Sequence, residues 1–400
     1  MCAIFVSGGS TLGNFAILAN NALFNYNLLA LPVFILMGEL MIYGGVAKKL
    51  YDSVLPFMER LPGGLVYANI GANTILGACT GSTIAATSAM STVAIPEFEK
   101  RGYSKGICYG SLASAGCLEA LIPPSVGMII FCSITTVSLG KLFIAGIVPG
   151  LILASFFSII TYLWVKVDPK IVPPKPKKLM PLIQSILYAF KNLWPLFILI
   201  FIILGVIYFG IATPTEAGCY GVIGAIVLSA LNKKLSLNNI RKSLFSTLKI
   251  SISIFFIIAM ASVYGFALNA LGLKDLMLTL LLNLPGDPNM KMLFIWLIIL
   301  VMGMFLDGAS ITIITVPILL PFAINLGFDP VWYGIFHLLA IELGNITPPV
   351  GLTLFAVQAV TGESVGVIAK GCLPYWVSFF LAEMIVLFFP ILALWLPGMI

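Results

Sequence analysis

Histidine occurs once in this chain, at position 337, and charged residues fill only 9% of its 400 positions. One imidazole leaves no Cys/His zinc pattern, no HExxH protease helix and no His-dependent triad. No GxSG or GxGD string suggests an intramembrane protease, and no GxxxxGK[ST] string suggests an ATPase. The seven cysteines sit in or beside apolar runs without paired spacing, so they form no disulfide framework. Met1–Ile4 is too short for a usual signal peptide. The scarcity of charge is the most informative absence, because a soluble surface needs roughly 25% charged residues. With 60% apolar residues and a mean hydropathy of +1.11, the chain reads as an all-α polytopic membrane protein. Its net charge of +6 is no nucleic-acid footprint, and the expected surroundings are a lipid bilayer.

About 20 apolar residues cross a bilayer. Candidate spans are 28–45, 107–121 continuing through 126–139, 142–165, 193–211, 217–231, 250–271, 333–343 continuing through 350–360, and 372–395. The basic residues orient them. Eighteen of the 21 Lys and Arg fall in 48–60, 100–105, 166–191, 233–249 and at Lys370, which the positive-inside rule makes cytoplasmic. Lys141, Lys274 and Lys291 are then external. Because loops 48–60 and 100–105 share a side, the apolar stretch 65–95 must be a re-entrant hairpin, turning at Gly77–Thr83. By the same logic 292–320 dips in from outside and turns at Asp307–Ser310. Its outgoing arm, Ile311–Leu320, is expected to span about 15 Å, half a membrane.

The chain also repeats itself. Pro96-x5-Gly102-Tyr103 recurs as Pro321-x5-Gly327-Phe328, and Pro123-Pro124 recurs as Pro348-Pro349, both displaced by 225 residues. Each half reads as span, re-entrant hairpin, proline-broken span, span, with opposite orientation. The expected organisation is an N-terminal segment 1–27, repeat one over 28–165, a basic connector plus two spans over 166–249, and repeat two over 250–400. The hairpins lie at about 65–95 and 292–320, and the broken helices at about 107–139 and 333–360. Inverted repeats with paired discontinuous helices are the signature of secondary transporters, which bind substrate and ions between the broken elements.

A mid-span proline pair frees carbonyls and opens a helix N-terminus, and a hairpin tip adds hydroxyls. Such groups suit sodium, a hard cation satisfied by neutral oxygens, and the positive end of a half-helix suits a carboxylate. Gly81, Ser82 and Thr83 facing Pro123–Ser125 form one candidate site. Asp307–Ser310, which includes Gly308 and Ser310, facing Gly344–Pro349, which includes Thr347 and Pro348, forms its mirror image. Glu39, Glu119, Glu216, Asp307, Glu342 and Glu383 lie in or at the ends of apolar runs, where a carboxylate is costly. Asp307 can coordinate a cation, position a substrate hydroxyl or cap the following half-helix. Glu119 can cap or couple to ion binding. Glu216 reads as a helix-start box with Thr213, and His337 as a packed core residue.

Several of these strings carry a family resemblance. Leu31-Pro-Val-Phe-Ile-Leu-Met-Gly-Glu-Leu-Met41, Gly81-Ser-Thr with Ala85-Ala-Thr87, Leu121-Ile-Pro-Pro-Ser125, Leu142-Phe-Ile-Ala-Gly146 with Pro149-Gly150, Thr213-Pro-Thr-Glu-Ala217 and Thr347-Pro-Pro-Val-Gly351 resemble the large membrane subunit (DctM-like) of TRAP transporters, the tripartite ATP-independent periplasmic carriers. The likeness runs through essentially the whole chain. It implies a sodium-coupled importer of an organic acid, of the C4-dicarboxylate or sialic acid type, in a bacterial or archaeal inner membrane. It also implies two partners, a small four-helix membrane subunit (DctQ-like) and a periplasmic substrate-binding protein (DctP-like), and an elevator movement of the hairpins and broken helices. Transferred onto this chain, Ser82 and Thr83 meet the substrate carboxylate, Asp307 its polar body, and the backbone around Gly81, Pro123, Gly308 and Thr347 holds Na+. Two features depart from the family pattern. The apolar helix that usually precedes the segment matching 31–41 has only residues 1–27, without a lysine, in its place, and Thr83 stands where a second serine is common. Two further classes stay open on the residues alone: a one-component anion carrier or exchanger that needs no binding protein, and a non-transporting membrane protein.

Overall fold

The structure is a computed structural model describing residues 10–176 and 179–399. Cys2, the Met1–Ile4 stretch, and Lys177 and Lys178 of the basic connector lie outside the described residues. Among the described residues all regular structure is helical. In chain order the helices are α1 (Ser10–Leu23), α2 (Ala30–Tyr43), α3 (Val46–Met58), α4 (Gly64–Thr80), α5 (Thr83–Arg101), α6 (Lys105–Gly116), α7 (Val126–Ser133), α8 (Leu139–Val167) and α9 (Leu182–Tyr208). They continue as α10 (Pro214–Leu231), α11 (Leu237–Ala270), α12 (Leu273–Leu282), α13 (Pro288–Gly303), α14 (Gly308–Asn325), α15 (Pro330–Asn345), α16 (Leu352–Thr361), α17 (Val365–Phe388) and α18 (Ile391–Leu394). Among the described residues, seven helical segments are long and apolar enough to cross a membrane. The fold is that of a polytopic protein with two inverted-topology repeats. In one, hairpin α4–α5 packs with the broken helix α6–α7; in the other, α13–α14 packs with α15–α16.

The repeated Pro-x5-Gly-aromatic string has a local physical meaning: it ends the outgoing arm of each hairpin. At the end of α5, Tyr103 N donates to Phe98 O and Gly102 N to Glu99 O, the paired bonds of a Schellman cap, with Gly102 at φ 74°. At the end of α14, Phe328 N donates to Ala323 O and Gly327 N to Ile324 O in the same pattern, with Gly327 at φ 90°. The helices run through Pro96, Pro317 and Pro321 rather than stopping at them. The outgoing arms therefore have 19 and 18 residues, and α14 spans about 27 Å instead of the half-membrane expected from Ile311–Leu320. A proline inside a helix forfeits one hydrogen bond, a loss that flanking turns and packing absorb here.

The basic segments 48–60, 100–105 and 166–191 meet one another, and the first also reaches Asn232, beside 233–249. Lys49 Nζ donates to Asn232 Oδ1, Arg101 pairs with Glu59, Arg60 donates to the Met180 carbonyl, Ser104 N donates to Ile171 O, and Lys105 pairs with Glu363. Leu65 N reaches the Tyr103 hydroxyl, so the first hairpin leaves on the side it entered.

Four stretches are more helical than periodicity suggested. Residues 48–60 form most of α3, which buries Val46, Ala47, Leu50, Tyr51 and Val54 on one face while Lys48 stays exposed, the pattern of an interfacial helix. Residues 10–23 and 273–282 form α1 and α12, and α1 packs on α11. Most consequential, 237–249 is not loop but the first third of the 34-residue α11. Toward the outside, α9 presents Ile183, Phe190 and Phe201. An outward apolar face of that kind is stable in hydrocarbon.

Candidate functional site

Both hairpin tips and both helix breaks are built by backbone rules. Gly81, at φ 63°, ends α4 in the left-handed region, and a Cβ there would lie 2.9 Å from Pro124 O. That bare backbone lets Val126 N, opening α7, donate to Gly81 O. The second repeat makes the same stitch: Val350 N and Gly351 N, just before α16, donate to Met304 O at its own hairpin turn. The breaks are Pro123-Pro124 and Pro348-Pro349, both with cis peptide bonds. Each hairpin tip is thus pinned to the start of its half-helix.

The pinned elements enclose a cavity of about 610 Å³. One wall holds Gly81, Ser82, Thr83, Ser125, Asp307 and Gly308, with Glu342 and Asn345 of α15 behind them. The other wall holds Ile35 and Glu39 of α2 and one face of α11. All four side chains expected to meet substrate (Ser82, Thr83, Ser125 and Asp307) line this one space. Helices α5, α7, α14 and α16 each present their first or second residue to it, so several helix N-termini converge. First-turn amides lack intrahelical partners and carry positive partial charge, which favours an anion.

The hydroxyls differ in how they are committed. Ser82 caps α5 by position but makes no side-chain cap bond. Ser125 is fully buried and its Oγ has no partner among the described residues. Thr83 Oγ1 donates to Glu342 Oε1 at 3.2 Å, and Asn345 Nδ2 donates to Glu342 Oε2 at 3.2 Å. Asp307 caps α14: Ser310 N donates to its Oδ2 at 2.9 Å and Ser310 Oγ to its Oδ1 at 2.5 Å. Each carboxylate oxygen keeps a further lone pair, so capping does not exhaust Asp307 as an acceptor.

The remaining candidate ligands stand back from the cavity. Pro123 and Gly344 are buried behind it, and Gly344 closes on Gly303, where a Cβ would meet Cα at 2.5 Å. Ser310 is occupied by Asp307, Thr347 Oγ1 donates to Leu343 O in its own turn, and Pro348 is half-buried. Of the other acids, Glu119 packs against Gly77 and does not line the cavity, nor does Glu383. Glu216 and Thr213 form a complete capping box, with Thr213 N donating to Glu216 Oε2 at 2.7 Å. His337 is buried among Phe131 and Tyr333. Sequence reasoning gave Glu342 and Glu39 no partner and left Lys249 in a loop. Glu342 sits one helical turn before Asn345, and the 3–4 spacing of Ser246, Lys249 and Ser253 was the signal for a polar helix face.

Comparison with known proteins agrees with this geometry. The profile of the tripartite ATP-independent periplasmic transporter, DctM component, matches residues 3–392. The C4-dicarboxylate TRAP transporter large permease protein DctM of Pseudomonas aeruginosa is 35% identical over 94% of this chain and 87% of its own length. Its namesake in Vibrio cholerae is 32% identical over 94% and 86%. Among solved structures, the Alcanivorax borkumensis YdaH transporter, described as having an unusual topology, superposes with a TM-score of 0.60 at 15% identity, covering 95% of this chain and 86% of that one. That likeness concerns the fold alone. With the family profile spanning nearly the whole chain and the apolar helices in place, this protein is a multi-pass inner-membrane transport protein rather than an enzyme, and it belongs to the DctM family, the large permease components of tripartite ATP-independent periplasmic transporters.

Proposed function

We propose that the chain imports a C4-dicarboxylate or related organic acid, coupled to sodium, across a bacterial or archaeal inner membrane. A periplasmic binding protein delivers the acid, and a small four-helix subunit completes the membrane complex. The observation that carries this reading is the convergence of Ser82, Ser125, Asp307 and several half-helix N-termini on one cavity. The two hydroxyls without a protein acceptor, Ser82 and Ser125, donate to the substrate carboxylate. Thr83, whose hydrogen goes to Glu342, offers lone pairs instead and faces a cation, as does Asp307. Sodium takes hard oxygen ligands of the kind these tips expose. Bound beside the carboxylate, it offsets the cost of desolvating the anion.

The two tips and their half-helices then move together as an elevator block against α2 and α11. The stitches from Val126 to Gly81 and from Val350 to Met304 support that reading, because they tie each tip to its broken helix. Uptake into proteoliposomes of this chain with its small subunit tests the proposal. Uptake that needs both an inward sodium gradient and the binding protein is expected. Sodium-driven uptake without the binding protein would make the chain a one-component carrier, and uptake unchanged in potassium would remove the coupling.

A further inference from the structure

The cavity is lined by three acids, Glu39, Asp307 and Glu342, and by a single base, Lys249. An anion entering a space with that balance is repelled unless cations outweigh the carboxylates, so the position of the one base matters. Lys249 belongs to α11, whose cavity-lining residues are Ser246, Lys249, Ile250, Ser253, Ile254 and Ile257. That spacing is one continuous helical face. Its polar members, Ser246, Lys249 and Ser253, lie toward the helix start, and only isoleucines follow. Lys249 stands 12 residues into the helix, about 18 Å from its start, exposed where the polar first third of α11 gives way to the apolar run from Ile250. It takes no part in the three ion pairs found among the described residues. A cation at the edge of an apolar run is retained where it meets a water-filled space or a counter-charge. The carboxylates of the cavity, Glu39 among them, stand beyond ion-pairing distance of Lys249, so an entering anion is the group it can pair with.

Resting on the transport reading above, we infer that Lys249 is a specificity-determining residue that holds the second anionic group of the substrate. The first carboxylate sits at Ser82, Ser125 and the half-helix N-termini on the opposite wall, and the ammonium reaches the distal group from α11, flanked by the hydroxyls of Ser246 and Ser253. An acid with two anionic groups bridges the walls, whereas an acid with one leaves Lys249 unpaired. Selection between them is therefore built into the membrane chain as well as into any delivering protein.

The test measures binding to the purified membrane complex at saturating sodium without binding protein, so that only this chain's own selectivity is read. The probes are straight-chain dicarboxylates of four to six carbons and their monoamides, which keep length and lose one charge. The wild type is expected to prefer a dicarboxylate over its monoamide at least tenfold. K249Q should cut that ratio about tenfold, and K249R should keep most of it. A ratio unchanged in K249Q, or lost equally in K249Q and K249R, would overturn the assignment, as would a wild type that binds both members of each pair alike. Failure of the underlying transport reading looks different: the wild type then binds neither acid at any sodium concentration.

Discussion

The two hairpin tips are copies of one design that have been given different chemistry. Ser82 and Asp307 stand 225 residues apart, each just before the outgoing arm of its hairpin. Ser82 makes no cap bond and keeps its hydroxyl for whatever enters the cavity, whereas Asp307 is held in place by Ser310 and brings a negative charge. The first tip is thus a neutral donor and the second a fixed acceptor. A site that must hold an anion and a cation together needs one of each, and a strictly symmetric repeat would supply two of the same.

The packing beneath the tips diverges as well. In the second repeat Gly303 and Gly344 meet backbone to backbone. The corresponding crossing in the first repeat brings Gly77 against the fully buried Glu119, where a Cβ on Gly77 would lie 3.0 Å from the Glu119 Cα. Small residues permit both close approaches. Only the first repeat uses its crossing to bury a carboxylate.

Exchanging the chemistry of the tips should break the difference between them most severely. Asp307→Ala is expected to lower uptake at least 100-fold while assembly with the small subunit persists, measured by uptake and co-purification. Loss of the protein from the membrane would instead assign Asp307 to structure. Ser82→Asp, which gives the first tip the chemistry of the second, should abolish uptake by setting a carboxylate against the substrate's own. Ser82→Ala removes one donor and should raise the apparent KM about tenfold. Smaller effects fall on the supports. Gly303→Ala should cost about 1–3 kcal/mol through overpacking, seen as a lowered Tm in detergent. Thr83→Val and Glu342→Leu sever the same hydrogen bond, so their effects on affinity should be non-additive by at least 0.5 kcal/mol in a double-mutant cycle.

Much of this was legible in the sequence because membranes simplify the code. Apolar runs and lysine placement yielded the helical class and the first hairpin, and the displaced proline pairs located both breaks. Helix ends were less legible. Pro96 and Pro321 look like terminators, yet helical hydrogen bonds on either side carry α5 and α14 to the glycine caps at Gly102 and Gly327. Amphipathic α3 and the polar start of α11 were hidden because their charges read as loop, and Lys249 was lost with them. The four residues expected to meet substrate were recognisable as tip chemistry, but the Thr83–Glu342 bond joins residues 259 apart and no local pattern encodes it.

The central claim is that the neutral tip binds the anion and the charged tip binds the cation in one cavity. Affinity of the membrane complex for the organic acid, titrated against sodium in the wild type and in Asp307→Asn, tests it most directly. Asparagine retains the helix cap and removes the charge. Affinity is expected to rise steeply with sodium in the wild type and far less steeply in the variant. Affinity indifferent to sodium in the wild type, or an equally steep response in both, would contradict it.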